Sequence, residues 1–153
     1  MKKIKIDDLI AKKNREKIVM ITAYDALFAR LFDEFADMIL IGDSLNMSFG
    51  GSSETLGISV DEMIYHTKAV QRATKRAFLV VDMPFGSVIT PKIALKNAVK
   101  IYKNTFCDAV KIEGGKEMAD TIKLLNQNGI AVIAHIGLKP QLSRQEGGYK
   151  VAG

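Results

Sequence analysis

The sequence predicts an α/β fold in which parallel strands alternate with helices, and three observations carry that prediction. Five short runs rich in Ile and Val recur along the chain, none with the polar alternation of a half-exposed strand. The stretches between them repeat their apolar residues at helical spacing. Each run, followed to its C-terminal end, arrives at residues that can ionise.

In chain order, residues 1–17 form a Lys-rich lead-in expected to be a solvated helix. Ile18 to Thr22 is the first strand, and Leu27, Phe28, Leu31, Phe32 and Phe35 make an apolar stripe on the helix after it. Met38 to Ile41 is the second strand. Ser59 and Glu62 then form a capping box ahead of Met63, Thr67 and Val70. Phe78 to Val81 is the third strand; Thr90 and Pro91 read as N-cap and first helical position, with Leu95, Val99, Tyr102 and Phe106 spaced for a core face. Ala109 to Ile112 is the fourth strand, followed by a helix carrying Met118, Ile122 and Leu125 that stops at Asn128 and Gly129. Ala131 to Ala134 is the fifth strand.

No linker, repeat or low-complexity stretch divides this order, so residues 1–153 are expected to form a single domain. A (β/α)8 barrel and an open doubly wound sheet both accept it. The strand ends favour the barrel. The strands run into Tyr24 and Asp25, Asp43 and Ser44, Asp82, Lys111 to Glu113, and His135. In a barrel those ends converge on one mouth, whereas an open sheet splays most of them away from its switch point. A barrel needs eight units in roughly 250 residues, and about five are found here.

Composition narrows the class of protein. Of 153 residues, 48% are apolar and 25% charged, which fits an ordinary globular chain and excludes collagen, disorder and disulfide scaffolds. The lone Cys107 has no internal partner, so the chain reads as cytoplasmic. No apolar run approaches the roughly 18 residues of a membrane helix. The net charge of +5 lies mostly in residues 1–17, where seven basic residues face three acidic ones and no aromatic is interleaved, unlike a nucleic-acid-binding face. That lead-in also lacks the apolar stretch of a signal peptide, and the mature chain is expected to begin near Met1.

Asp43, Asp82 and Glu113 end three successive strands, and a few oxygen ligands suit Mg²⁺, which keeps several of its waters. Each aspartate taken singly also suits a helix or loop cap. Lys111 lies two residues before Glu113, so strand alternation sends both inward, where Lys111 pairs with Glu113 or with a substrate carboxylate. His135 reads as a general acid, a ligand for a carbonyl oxygen or a core histidine, and His66 as structural. Gly114 and Gly115 suit a phosphate cradle or, more simply, a strand-to-helix turn. Gly42-Asp43-Ser44-Leu45 spells the GDSL esterase signature, but neither His66 nor His135 has an Asp about three residues before it to complete that machinery.

Several segments together resemble the ketopantoate hydroxymethyltransferase family. They are Ile21-Thr22-Ala23-Tyr24-Asp25, Gly42-Asp43-Ser44-Leu45, Tyr65-His66-Thr67, Asp82-Met83-Pro84-Phe85, Val110-Lys111-Ile112-Glu113-Gly114-Gly115, His135-Ile136-Gly137-Leu138 and Gly147-Gly148-Tyr149-Lys150-Val151. The resemblance implies a TIM barrel of the pyruvate/phosphoenolpyruvate type, in a cytoplasmic homo-oligomer that is typically a decamer. It also implies a Mg²⁺-dependent transfer of a hydroxymethyl group from 5,10-methylenetetrahydrofolate to the ketoacid 3-methyl-2-oxobutanoate, giving 2-dehydropantoate for pantothenate and coenzyme A synthesis. Carried over by the resemblance, Asp43, Asp82 and Glu113 hold the metal, with Asp43 and Glu113 acting partly through water. Asp43, Ser44, Asp82 and Lys111 surround the ketoacid, and His135 supports the mouth. The family's proton-abstracting Glu falls beyond Gly153, so residues 1–153 alone are expected to be inactive or to need a complementing half. The alternatives from other classes are a Mg²⁺-dependent ketoacid lyase or aldolase of the same barrel superfamily, and an inactive half-barrel that binds a partner.

Overall fold

The computed structural model describes residues 2–148. Tyr149, Lys150 and Val151 of the last resembling segment lie outside the described residues. Five strands form one sheet in the order of the chain: β1 (Met20–Thr22), β2 (Met38–Ile41), β3 (Phe78–Asp82), β4 (Ala109–Glu113) and β5 (Val132–His135). Every neighbouring pair is parallel. An open doubly wound sheet reverses its strand order at a switch point; this one does not, and has the sequential order of a barrel wall.

Strand alternation separates two apolar layers. Ile39, Ile41, Leu79, Val81, Val110 and Ile112 face the helices in the main core, while Met38, Phe78, Val80 and Ala109 form a smaller cluster on the inner face. Residues buried on both faces have no reason to alternate with polar ones, which is why these strands read as continuous apolar runs. Two run limits move inward, since Ile18, Val19 and Ala131 precede the paired segments.

The helices are α1 (Ile6–Lys12), α2 (Ala26–Phe32), α3 (Leu45–Ser48), α4 (Val60–Ala73), α5 (Pro91–Asn104), α6 (Ala119–Gln127) and α7 (Ser143–Glu146), with short 3₁₀ turns at Lys116–Met118 and Pro140–Leu142. The capping box of α4 is present: Ser59 N donates to Glu62 Oε2 at 2.8 Å, and Glu62 N donates to Ser59 Oγ at 3.2 Å. Thr90 caps α5 through Ile93 N, with Pro91 at the first position.

Three expectations change. The stripe on α2 faces outward: Leu27, Phe28, Leu31 and Phe35 are exposed, and the residue that α2 buries is Ala29. A small residue there lets α2 lie close to α4 and the sheet. Phe106 is 82% exposed instead of extending the α5 core face, because Thr105 ends that helix in extended backbone and breaks its periodicity. The basic lead-in is not purely solvated. Ile4 and Leu9 pack under the inner cluster, Lys3 pairs with Asp108 at 2.7 Å, and Lys12 pairs with Asp37 at 3.0 Å.

Asp33 shows how loops are tied to this frame. It ends α2, where a negative charge is unfavourable to the helix dipole, yet it is buried and its carboxylate accepts N–H bonds from Lys75, Arg76 and Ala77 at 2.7–3.0 Å. These bonds fix the turn that feeds β3. Asp33→Ala leaves three backbone donors, that of Ala77 buried, without their partner and is expected to cost about 2–4 kcal/mol, read from the urea midpoint. Asp33→Asn, which keeps one acceptor oxygen, is expected to cost less.

Candidate active site at the strand ends

The β2 run ends at Gly42, and the chain turns at once into α3. A Cβ at position 42 would lie 2.9 Å from Ser44 Oγ and 3.5 Å from Asp82 Oδ2, so the absence of a side chain lets the β2 and β3 ends approach. Asp43 and Asp82 are both buried, and Asp43 N donates to Asp82 Oδ2 at 3.1 Å. Ser44 starts α3 without using its hydroxyl as a cap; that hydroxyl instead pairs with Tyr24 OH at 2.7 Å. Tyr24 is fixed in turn by the edge of Phe49 and by His66, whose Nδ1–H donates to the Tyr24 carbonyl at 2.7 Å. His66 makes this tie from α4, and Asp25 is the N-cap of α2.

Register carries the remaining side chains inward. Asp82 pairs with Lys111 across β3 and β4, and Glu113 with His135 across β4 and β5. Lys111 Nζ lies 2.8 Å from Asp82 Oδ1, close enough for an ion pair though poorly directed for a hydrogen bond, and 3.9 Å from Glu113 Oε1. Lys111 thus pairs chiefly with Asp82, a partner the spacing did not offer, since it left Glu113 and a substrate carboxylate open. His135 Nδ1 is buried 3.6 Å from Glu113 Oε1 and makes no hydrogen bond among the described residues.

Burial pushes the Asp82 carboxyl up to about 7, with Lys111 opposing the rise and Asp43 adding to it. Burial also raises Asp43, against the Gln141 hydrogen bond and Lys111, and it raises Glu113. Gln141, in the 3₁₀ turn after β5, was not foreseen. Its Nε2 donates to Asp43 Oδ2 at 2.8 Å and to the Met83 carbonyl at 3.0 Å. Only the turn-forming Pro140 marked that segment, and nothing in its spacing said that it folds back over three strands.

The expected metal set is brought together in part. Asp43 and Asp82 touch, whereas Glu113 is joined to them through Lys111 and Gln141, and no three acidic, His or Cys side chains among the described residues form a ready metal cluster. Mg²⁺ needs only one or two carboxylates besides water and substrate, and the adjoining Asp43 and Asp82 supply that number, although the Asp82 oxygen without a hydrogen bond is the one that the Lys111 ammonium faces at 2.8 Å. Beside Glu113 and Gln141 opens a cavity of about 390 Å³, walled by Phe85, Val88, Ile89, Met118 and Leu142.

Sequential parallel strands that gather their ionisable residues at the C-terminal ends define a (β/α)-barrel protein with an acidic, lysine-bearing mouth. A sequence profile for ketopantoate hydroxymethyltransferase matches residues 3–153, and the chain belongs to that family. It is 78% identical over 153 residues to the 3-methyl-2-oxobutanoate hydroxymethyltransferase of Campylobacter fetus subsp. fetus, covering 100% of this chain and 58% of the relative. It is 61% identical to that of Wolinella succinogenes, with the same coverage. The chain therefore spans 58% of the length of these relatives. Among solved structures, 2,3-dimethylmalate lyase, of the PEP mutase/isocitrate lyase superfamily, superposes with a TM-score of 0.62 at 14% identity over 88% of this chain and 51% of its own. Phosphoenolpyruvate phosphomutase from Streptomyces platensis subsp. rosaceus gives 0.61 at 19% identity, over 82% and 51%. These likenesses show the barrel fold, of which this chain supplies part.

The raised Asp82 carboxyl has a definite pH signature. With the folded value near 7 and the unfolded one near 3.8, its contribution to stability is present below pH 3.8 and lost as pH rises through about 7. A carbon-13 titration of the metal-free protein is expected to place the Asp82 midpoint near 7, and Lys111→Met to move it higher by removing the cation that opposes the rise.

Proposed function

We propose that the protein carrying this chain transfers a hydroxymethyl group from 5,10-methylenetetrahydrofolate to 3-methyl-2-oxobutanoate, yielding 2-dehydropantoate and tetrahydrofolate for pantothenate synthesis. In the balanced reaction the C–H bond beside the ketone and both C–N bonds of the folate methylene break, that carbon gains a C–C bond to the ketoacid and a hydroxyl from water, and the proton from the ketoacid and one from water pass to the two folate nitrogens. The observation that carries the reading is the inward set of Ser44, Asp82 and Lys111 at adjoining strand ends, in a chain of this family. Residues 1–153 are read as one unit, the N-terminal part of the barrel.

Asp43 and Asp82 would hold Mg²⁺, with Glu113 reaching it through water. When bound, the ion supplies Lewis-acid polarisation of the ketoacid carbonyl. Lys111 is a fixed cation held on the sheet by Asp82, so it opposes negative charge developing on the ketoacid oxygen without having to reorganise. Ser44, oriented by Tyr24, offers its hydroxyl to the ketoacid. His135 supports Glu113 from the next strand. These residues bind substrate and stabilise charge; proton abstraction is assigned to none of them. The apolar cavity beside Glu113 is within the usual 300–1,000 Å³ of ligand sites and suits the flat ring system of the folate donor. The family resemblance further supports a cytoplasmic homodecamer, and the outward apolar stripe of α2 offers a surface for contact between copies.

Isothermal titration of 3-methyl-2-oxobutanoate into the intact protein is expected to show binding with Mg²⁺ and none after EDTA. Ser44→Ala is expected to raise the ketoacid KM by about tenfold, and Lys111→Met to lower kcat/KM by about 10²–10³. Turnover of the ketoacid without any folate donor would assign the site to carbon–carbon cleavage instead.

A further inference from the structure

Three donors of Gln141 point into the strand-end cluster. Nε2 donates to Asp43 Oδ2 at 2.8 Å and to the Met83 carbonyl at 3.0 Å, and the backbone N donates to Glu113 Oε2 at 3.3 Å. A primary amide carries two N–H donors, so the donor capacity of this side chain is used in full. Its partners follow β2, follow β3 and close β4, which means that one residue of the turn after β5 spans three strand ends. The turn is anchored as well. Leu142 N donates to the Lys139 carbonyl at 2.9 Å, Ser143 is buried, and Arg144 Nε donates to Glu54 Oε2 at 2.7 Å.

The chemistry of the amide matters. An ammonium at the same place would orient Asp43 but would also oppose its charge, whereas a neutral donor orients the carboxylate and leaves that charge for a cation. The Met83 carbonyl gives the amide a fixed reference, because Met83 N itself donates to the Lys111 carbonyl at 2.9 Å and so belongs to the sheet. Gln141 thus relates Asp43 to the backbone that carries Asp82 and Lys111.

We propose that Gln141 is a positioning residue, holding the Asp43 and Glu113 carboxylates relative to each other and to the β3 end so that they receive a divalent cation together with an anionic ketoacid. This rests on the transferase reading given above. Gln141 acts through its two carboxylate partners and takes no part in bond making. Polar groups that orient metal ligands typically change metal affinity by 10–100-fold when removed, without being ligands themselves.

The test uses the intact protein with Gln141→Met, which keeps the length and removes the side-chain donors, and Gln141→Asn, which keeps the amide but withdraws it by one carbon. For each, the metal-free thermal midpoint, the Mg²⁺ dissociation constant by isothermal titration, and KM and kcat for 3-methyl-2-oxobutanoate are measured. Gln141→Met is expected to melt close to wild type without metal, to bind Mg²⁺ about 10–100-fold more weakly, and to raise KM more than it lowers kcat. Raised Mg²⁺ is expected to restore much of the KM. Unchanged Mg²⁺ affinity and KM in Gln141→Met, with a wild type that behaves as expected, would overturn the role of Gln141 and leave the transferase reading standing. Loss of folding in both variants would also overturn it, by showing a structural tie. A wild type whose ketoacid binding ignores Mg²⁺ would overturn the transferase reading, and this proposal with it, before any variant is compared.

Discussion

Lys111 holds the charge balance on which the strand ends depend. Its ammonium lies 2.8 Å from Asp82 and 3.9 Å from Glu113, where these carboxylates and Asp43 have lost most of their water. A buried carboxylate is costly unless a cation or directed hydrogen bonds compensate, and here both are used. Lys111 offsets Asp82; a backbone N–H offsets it further; and Gln141 offsets Asp43 and Glu113. Without the ammonium, the inner face between β3 and β4 would present carboxylates to one another at short range. The polar mouth and the sheet therefore stand or fall together.

The inner face divides along its length for the same reason. Toward the N-terminal ends of the strands it is apolar, with Met38, Phe78, Val80 and Ala109 sealed from below by Ile4 and Leu9. Toward the C-terminal ends it becomes Asp82, Lys111, Glu113 and His135 within one or two residue pairs of the register. The basic lead-in belongs to the stabilising end, where Lys3 and Lys12 reach Asp108 and Asp37. Two of the seven basic residues of the lead-in are thus structural. This is the division of labour a barrel imposes: packing at one end and chemistry at the other.

What the sequence made legible was what short spacing determines. The five strands, the Ser59–Glu62 capping box and the Thr90–Pro91 helix start are local patterns, and each is found where its residues predict it. Lys111 and Glu113 share a face because two residues separate them on a strand. What stayed hidden depends on residues far apart in the chain. Gln141 reaches across 98 residues to Asp43, and Asp33 across more than 40 to the turn before β3. The α2 stripe misled for a related reason. Periodicity shows that a helix has an apolar side, but the side that packs is the one carrying the small Ala29, with Ala26 and Phe32 partly buried beside it. The family resemblance, spread over segments from Ile21 to Val151, supplied what spacing could not: the family to which the chain belongs.

The same charge arithmetic bears on how substrate enters. Among the described residues the strand ends set the Lys111 ammonium against Asp43, Asp82 and Glu113, and that ammonium is already engaged by Asp82. A ketoacid is itself an anion, so bringing it in alone would add negative charge to a region whose carboxyls burial already raises. Protons on the carboxyls would relieve the repulsion, but a protonated aspartic acid no longer binds a cation or anchors Lys111. A divalent cation relieves it while leaving the carboxylates ionised, and its remaining coordination positions are open to the oxygens of the ketoacid. On the proposed reading, cation and ketoacid are therefore thermodynamically coupled, each binding more tightly when the other is present. That coupling follows from burying Asp43, Asp82 and Glu113 around a single lysine, and it needs no conformational change of the sheet.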